Sequence, residues 1–443
     1  MSYTEEPNES NPRAEIFKRE RHSITPEMID PEARRVLTRL NQSGFKAYVV
    51  GGGVRDLLLG KEPKDFDIAT DATPREIKSL FRNSRVIGKR YKLVQIFFPN
   101  GKIFEVSTFR DLGAPADPDA NTDGTTPIVT RENTYGTESS DALRRDLTIN
   151  GLFYDLHSNS IIDYVGGVRD LSNRLIRIIG DPDTRFLEDP VRMIRVARHA
   201  ARNNFEIEDS CKESINNNYL LITRASPVRV FDELKKDLTS GHSLPTLRLM
   251  AELKLLDPLL PEILQKDSLL LSDVSELSHC LARADDLAKD GLILTSASVL
   301  ALCALFVHGL NSMRKDIYSW FSRRREILEL SDNCFKSMAV PKRERERIAN
   351  ILTVWHNLGV PPFNREAIQS AKKSSSRLDL ALLLKYLSDD EDVERFANTL
   401  LNMPPPPRPD RQRRRPNRSE QNSRDGRRER PSRSANQRNS QGN

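Results

Sequence analysis

The chain has 443 residues, 30% charged and 37% hydrophobic, which reads as a soluble, globular protein of about two to four domains. Its four cysteines, Cys211, Cys280, Cys303 and Cys334, lie far apart with no CxxC pair; that argues against a zinc site or a disulfide scaffold and fits a reducing, cytoplasmic setting. The net charge of +6 is uneven: Pro404 to Asn443 holds 12 Arg against four acids, a balance of +8, which leaves the other 403 residues at −2.

Residues 1–28 carry no apolar stretch, so they read as a disordered N-terminus rather than a signal peptide. In "PEMIDPEARRVLTRLNQSG", Ile29, Ala33, Val36, Leu37 and Leu40 recur at helical spacing and Gly44 follows the end, which predicts a helix. "FKAYVV" predicts a strand, "VRDLLLG" a short helix closed by Gly60, and "DFDIAT" a second strand. "TPREIKSLFR" predicts a helix with Thr73 as N-cap and Pro74 at the first turn. "VIGKRYKLVQIFF" and "KIFEVSTFR" predict two strands joined by the "PNG" turn, and residues 111–140 a long polar loop. "LTINGLFYDL" is mixed, and "IIDYVGGVRDL" predicts a strand and turn. From Asp189 onward the pattern is helical, with Asp189 as N-cap and Pro190 at N1 of the helix in "DPVRMIRVARHAARN". Leu292 to Leu310 is the most apolar segment, yet it includes Thr, Ser and His, so it predicts a buried helix and no membrane span. "MPPPPRP" is a stiff spacer before an Arg/Ser/Asn/Gln-rich tail expected to be disordered.

The stretch "YVVGGGVRDLLLGKEPKDFDIATDATP" concentrates the chemistry. Gly51, Gly52 and Gly53 stand where a strand gives way to a helix, a place where backbone N–H groups can approach an anion; the plain alternative is a tight turn. The dinucleotide fingerprint would need a third glycine where Asp56 stands, and no P-loop pattern is present. Asp65 and Asp67 are two apart, so on a strand both carboxylates face one side with Cα atoms roughly 6–7 Å apart. Hard divalent cations take such oxygen ligands together with substrate phosphates; the alternative is a solvated pair on an exposed strand. Phe66 between them points to the other, buried face. Glu105, an acid in a strand pattern shared with Ile103 and Phe109, is a third candidate carboxylate, or a lone charged strand residue.

These residues carry a resemblance. "GGGVRDLLLGKEPKDFDIATDATPREI", "EVSTFR", "RRDLTINGLFYD", "DYVGGVRDLSNRLIRIIGDP" and "RFLEDPVRMIRVARHAAR" resemble, in order, the motifs of class II nucleotidyltransferases of the polymerase-β superfamily: bacterial poly(A) polymerases and CCA-adding enzymes. They cover about residues 45–205. The resemblance implies an α+β fold: a nucleotidyltransferase head with a small mixed or antiparallel sheet at 29–180, a helical neck at 181–245, a helical body at 246–402 and a Pro/Arg-rich tail at 403–443. It implies that Gly51, Gly52 and Arg55 hold a nucleotide triphosphate. Asp65 and Asp67 would bind Mg²⁺, with Glu105 as third carboxylate. Arg144 and Arg145 would touch phosphate and Asp146 the ribose hydroxyl. Glu188, Asp189 and Arg192 would read the base edge, with Arg195 continuing their helix face; the alternative for that helix is an ordinary capped, salt-bridged surface helix. The reaction implied is in-line attack of an RNA 3′-hydroxyl on the α-phosphate of ATP, with pyrophosphate leaving.

The shared motifs do not separate a run of A from C, C and A. "VIGKRYKLVQIFF" resembles the basic stretch of the poly(A) branch, which is less basic in CCA-adding enzymes; Lys89, Arg90 and Lys92 would add phosphate contacts to RNA of no fixed shape, whereas a tRNA-specific enzyme reads shape. The cationic tail, with Arg411 and Arg413 to Arg415, leans the same way; its alternative is a solubilising or ribosome-binding extension. The partners implied are ATP and single-stranded RNA 3′ ends of mRNA and decay intermediates, with RNA-decay proteins beside them. An enzyme-dead RNA-binding scaffold is the reading from another class. "DANTDG" copies the start of a calcium loop, but Thr130 stands where the bidentate acid belongs, so a loop beside the active site is expected there. The seven histidines have no partner spacing, and none is assigned to catalysis.

Overall fold

The computed structural model describes residues 13–88, 92–111, 135–261, 264, 275–308, 329, 335, 338, 340–359 and 361–404. In the N-terminal half β1 (Glu15–Phe17), α1 (Pro31–Gln42), β2 (Ala47–Val50), α2 (Gly52–Leu58), β3 (Asp67–Thr70) and α3 (Pro74–Leu80) come first. They are followed by β4 (Ser84–Ile87), β5 (Leu93–Phe97), β6 (Ile103–Thr108), α4 (Glu138–Leu143), β7 (Leu152–Asp155), β8 (Ser160–Asp163) and α5 (Gly167–Ser172). The eight strands form one mixed sheet in the order β1-β8-β7-β2-β3-β6-β5-β4, in which β3 and β6 run parallel and the other pairings are antiparallel.

Period-two alternation gives the sheet two different faces. Val49, Ile68, Val94, Ile96 and Val106 turn to the main apolar core, where α1 contributes Ala33, Val36, Leu37 and Leu40. The other face carries a second, smaller core of Tyr48, Val50, Ala69, Phe109, Ala142 and Phe153. Asp67 and Glu105 share that side, since Ile68 beside Asp67 and Val106 beside Glu105 point into the main core. Phe66 is partly buried against the main core, as its parity predicts.

Helices follow. They are α6 (Pro182–Glu188), α7 (Val191–Asn203), α8 (Asp209–Asn218), α9 (Pro227–Leu238) and α10 (Ser243–Glu252), then Glu276–Lys289, Ser296–His308, Lys342–Leu358, Arg365–Lys373, Arg377–Leu387 and Glu391–Asn402. The main core is continuous from Phe17 in β1 to Tyr386, so the changes of architecture near 180 and 245 are not gaps in packing. The helix Ser296–His308 is the buried one expected, with Ala297, Ala301 and Ala304 fully enclosed. No helix among the described residues is long and apolar enough to cross a membrane.

Three expectations change. Residues 13–28 are not a disordered leader: β1 adds to the sheet edge against β8, because Phe17 and Ile24 are apolar anchors that bury. "VIGKRYKLVQIFF" is not one strand but parts of two, β4 and β5, paired antiparallel; Gly88 at φ +88° lets the chain reverse after β4. Asp189 does not cap α7 with its side chain, and the residue preceding that helix is Pro190.

Candidate active site

The site grows from the end of β2. Val50 pairs with Asp67 of β3 on one side and with Phe153 of β7 on the other, so the glycine turn that follows opens beside a carboxylate. The β3–β6 register pairs Ile68 with Val106, which sets Asp67 next to Glu105, about 4.8 Å away at the backbone. Asp65 stands just before β3, which starts at Asp67 and not at residue 65.

Two of the three glycines have a specific geometric task. Gly51 holds φ at +72°, and a Cβ there would lie 3.0 Å from Arg145 Nη1, so glycine both makes the turn and admits the guanidinium. At Gly53 an added Cβ would meet the Asp65 carbonyl oxygen at 3.3 Å; the bare backbone lets α2 press against the strand entry. Arg145 is held over the turn by Asp141, whose Oδ2 accepts from its Nη2 at 2.9 Å, and its guanidinium lies 5.4 Å from the Phe153 ring centroid.

The electrostatics of the cleft centre on Asp67. Its side chain opens to solvent, yet its carboxyl is pushed up to about 6. The enclosing cleft walls are the first cause, the like charges of Asp65 and Glu105 follow, and Arg145 pulls the other way. Oxygen donors that repel one another in a concave site suit a hard divalent cation. Among the described residues no three His, Cys, Asp or Glu gather closely enough to enclose a metal by themselves. Glu105 accepts from Gln95 Nε2 at 3.0 Å.

Arg55 is not where a phosphate ligand was expected. It is 4% exposed, with Nε and Nη2 donating to Asp56 Oδ1 at 2.9 and 2.8 Å and Nη1 donating to Asn150 Oδ1 at 2.7 Å. Its Nη1 also lies 3.3 Å from His199 Nδ1. This guanidinium braces the back of the Gly52 turn, and a Cβ on Gly52 would meet it at 3.4 Å. His199 is buried and held well below its ordinary range, first by burial and then by four surrounding arginines, Arg55 foremost, so it is a neutral acceptor.

The other predicted residues form a second half of the cleft. Asp146 accepts from Arg192 Nε at 3.2 Å and pairs with Arg195 Nη2 at 2.7 Å, which joins the head to α7. Arg192 Nη1 also donates to Glu188 Oε2 at 3.0 Å. Arg192 N–H donates to the Asp189 carbonyl at 3.1 Å, but the Asp189 carboxylate, 7% exposed, is gripped by Arg229 of α9 through both oxygens, at 3.1 and 2.9 Å. Arg144 closes α4, and Arg185 Nη2 donates to the carbonyls of Arg144 and Arg145 at 2.9 and 2.7 Å. Arg185 and Arg229 went unnoticed in the sequence, and His199 was set aside with the other histidines: each acts on a partner 40 or more positions away, and no local spacing signals that. Lys92 is exposed just before β5; Lys89, Arg90, Arg411, Arg413, Arg414, Arg415 and the calcium-like "DANTDG" lie outside the described residues.

The chain is similar to known proteins along most of its length. The family described as "Poly A polymerase head domain" matches residues 47–177, and "Probable RNA and SrmB- binding site of polymerase A" matches 204–266. A poly(A) polymerase I of Salmonella typhi is 34% identical over 401 residues, 88% of this chain and 85% of that protein. The chain belongs to the bacterial poly(A) polymerase I and class II nucleotidyltransferase family. It is an RNA nucleotidyltransferase. A CCA-adding enzyme of Lactobacillus helveticus is 36% identical over 239 residues, 54% of this chain and 57% of its own. Among solved structures, the Bacillus stearothermophilus CCA-adding enzyme in complex with CTP shares the fold, with a TM-score of 0.62 at 24% identity over 84% of this chain and 82% of that one.

Proposed function

We propose that this nucleotidyltransferase is a poly(A) polymerase, adding AMP from ATP to RNA 3′ ends. The supporting observation is the span of the likeness: the Salmonella typhi poly(A) polymerase I matches along 88% of the chain, whereas the Lactobacillus helveticus CCA-adding enzyme matches 54%.

In this reading the Gly51–Gly52 backbone and Arg145 hold the triphosphate, and Arg55 shapes the turn from behind. Asp65 and Asp67, with Glu105 beside them, would hold Mg²⁺. When bound, the ion supplies positive charge that acidifies the attacking hydroxyl and neutralises phosphate oxygens. Asp146 meets the ribose hydroxyl and thereby favours ribonucleotides. Glu188, Asp189, Arg192 and Arg195 line the base and ribose side; the planar donor fork of arginine and the carboxylate acceptors suit a Watson–Crick edge. The 3′-hydroxyl attacks the α-phosphate in line, the new P–O bond forms, and pyrophosphate departs. RNA decay intermediates and mRNA are the substrates that a sequence-indifferent A-adding activity would serve, and proteins of RNA decay its associates.

The test is extension by purified protein of an oligo(A) RNA and of a tRNA lacking its CCA end, each with ATP or CTP. Long ladders with ATP on oligo(A) and little with CTP are expected. Addition of two C to the tRNA, then one A once both nucleotides are supplied, would instead make it a CCA-adding enzyme.

A further inference from the structure

On the side of the head away from the carboxylates, an open groove of about 890 Å³ runs along the outer face of α1. Arg34, Arg35, Arg39 and Gln42 line it, with Pro26 and Leu156 as apolar walls. The helix buries its opposite stripe, Ala33, Val36, Leu37 and Leu40, in the main core. The groove and the Asp67–Glu105 cleft are therefore separated by the sheet and by a helix roughly 10 Å thick.

Three arginines along one groove repel one another unless an anion meets them. Among the described residues none of the three has a carboxylate within ion-pair distance, and the buried Nε of Arg34 has no hydrogen-bond partner. The acids nearby are otherwise engaged. Asp30 and Glu32 face Lys102, the latter at 3.7 Å, and Glu32 also accepts from Asn100 Nδ2 at 2.8 Å. Glu27 is set against Arg34 and Arg19, and its carboxyl is held below its usual value, first by its hydrogen bonds. Arg39 lies 5.2 Å over the Phe81 ring, which orients its guanidinium without neutralising it.

We propose that this groove is a second RNA site, which binds the phosphodiester backbone of substrate RNA upstream of the 3′ end that occupies the cleft. Arginine forks match phosphate oxygens bidentately. The walls offer no aromatic ring among the lining residues, so the site grips backbone and does not read sequence. Because it lies on the far side of the sheet, only an RNA long enough to pass around the head reaches it, and it separates long from short substrates. The inference rests on the chain being an RNA nucleotidyltransferase and is indifferent to whether it adds A or CCA.

The test compares the full-length protein with Arg35→Ser/Arg39→Ser and with the triple variant that adds Arg34→Ser. Affinity for a short oligo(A) and for an unstructured RNA several times longer is measured across a salt series, alongside ATP-dependent extension of the short primer. We expect the long RNA to bind about tenfold more weakly to the triple variant at low salt, with the slope of log Kd against log salt reduced by about two to three, and the short primer to bind and extend as before. The double variant, which leaves the half-buried Arg34 in place, loses less of the slope in the same direction. Equal long-RNA affinity and slope in all three proteins overturns the proposal. So does an equal loss on short and long RNA, which would place the damage in the cleft or the fold. Loss of binding to polyglutamate with long-RNA binding intact would also overturn it, and would make the groove a site for an acidic protein segment.

Discussion

Asp67, proposed above as a metal ligand, works against the fold that holds it. Its carboxyl is pushed up to about 6 by its surroundings and by Asp65 and Glu105, so the folded chain holds a proton there at pH values where an unfolded aspartate has lost it. A raised acid pKa means that stability falls as pH rises from about 4 to about 6, and the repulsion persists above that. Replacing Asp67 by Asn should therefore abolish RNA extension and raise Tm at pH 8, with the gain shrinking toward pH 4; calorimetry at both pH values checks it. A lower or equal Tm at pH 8 would mean that the carboxylate is compensated by groups other than Arg145. The place of Asp67 on its strand was legible from the period-two pattern, whereas the strand was expected to hold Asp65 as well and begins only at Asp67. The burial of Arg55 was not legible, because its partners Asn150 and His199 are 95 and 144 positions away.

At the scale of elements, the two helix starts that looked alike in sequence turn out differently. Thr73-Pro74 opens α3 with a full capping box, Thr73 and Glu76 each bonding the other's backbone, because both partners are local. Asp189-Pro190 offers the same cue, but a bidentate charge-assisted pair with Arg229 outcompetes a cap worth about 1 kcal/mol. A cap delivered from a distance closes the account of α10. Asp285, on the helix Glu276–Lys289, accepts from the backbone N–H of Ser243 at 2.8 Å and of Leu244 at 2.9 Å, and from Ser243 Oγ at 2.9 Å. Asp285 is 4% exposed, so its removal leaves buried donors unmet. Asp285→Ala should cost about 2–3 kcal/mol, read as a lower urea midpoint at unchanged slope, while the affinity for ATP stays the same. A loss below about 0.5 kcal/mol would mean that water replaces the carboxylate at this joint. Nothing in the sequence near Ser243 announces a cap 42 positions away, whereas the helices themselves were legible from their periodicity.

Across the whole molecule, charge is the property that sequence reports best and packing the one it reports least. The change from a mixed sheet to helices could be read from the sequence pattern, but the folding of residues 13–28 onto the sheet could not, since Ile16, Phe17 and Ile24 are a few apolar residues in a charged segment. The uneven charge yields the last prediction. Pro404 to Asn443 carries +8 against −2 for the remainder. A near-neutral body has little long-range pull on a polyanion, so the tail should supply much of the non-specific attraction and its salt dependence. A protein ending at Met403 should bind RNA more weakly at low salt and show a flatter slope of log Kd against log salt. ATP affinity should persist, because Gly51, Arg145, Asp146 and Arg192 all lie within the retained chain. Titrating both proteins with the same oligo(A) at several salt concentrations decides it. A slope unchanged by the deletion would assign the phosphate contacts to the folded part, with the α1 groove and Lys92 as the first places to look for them.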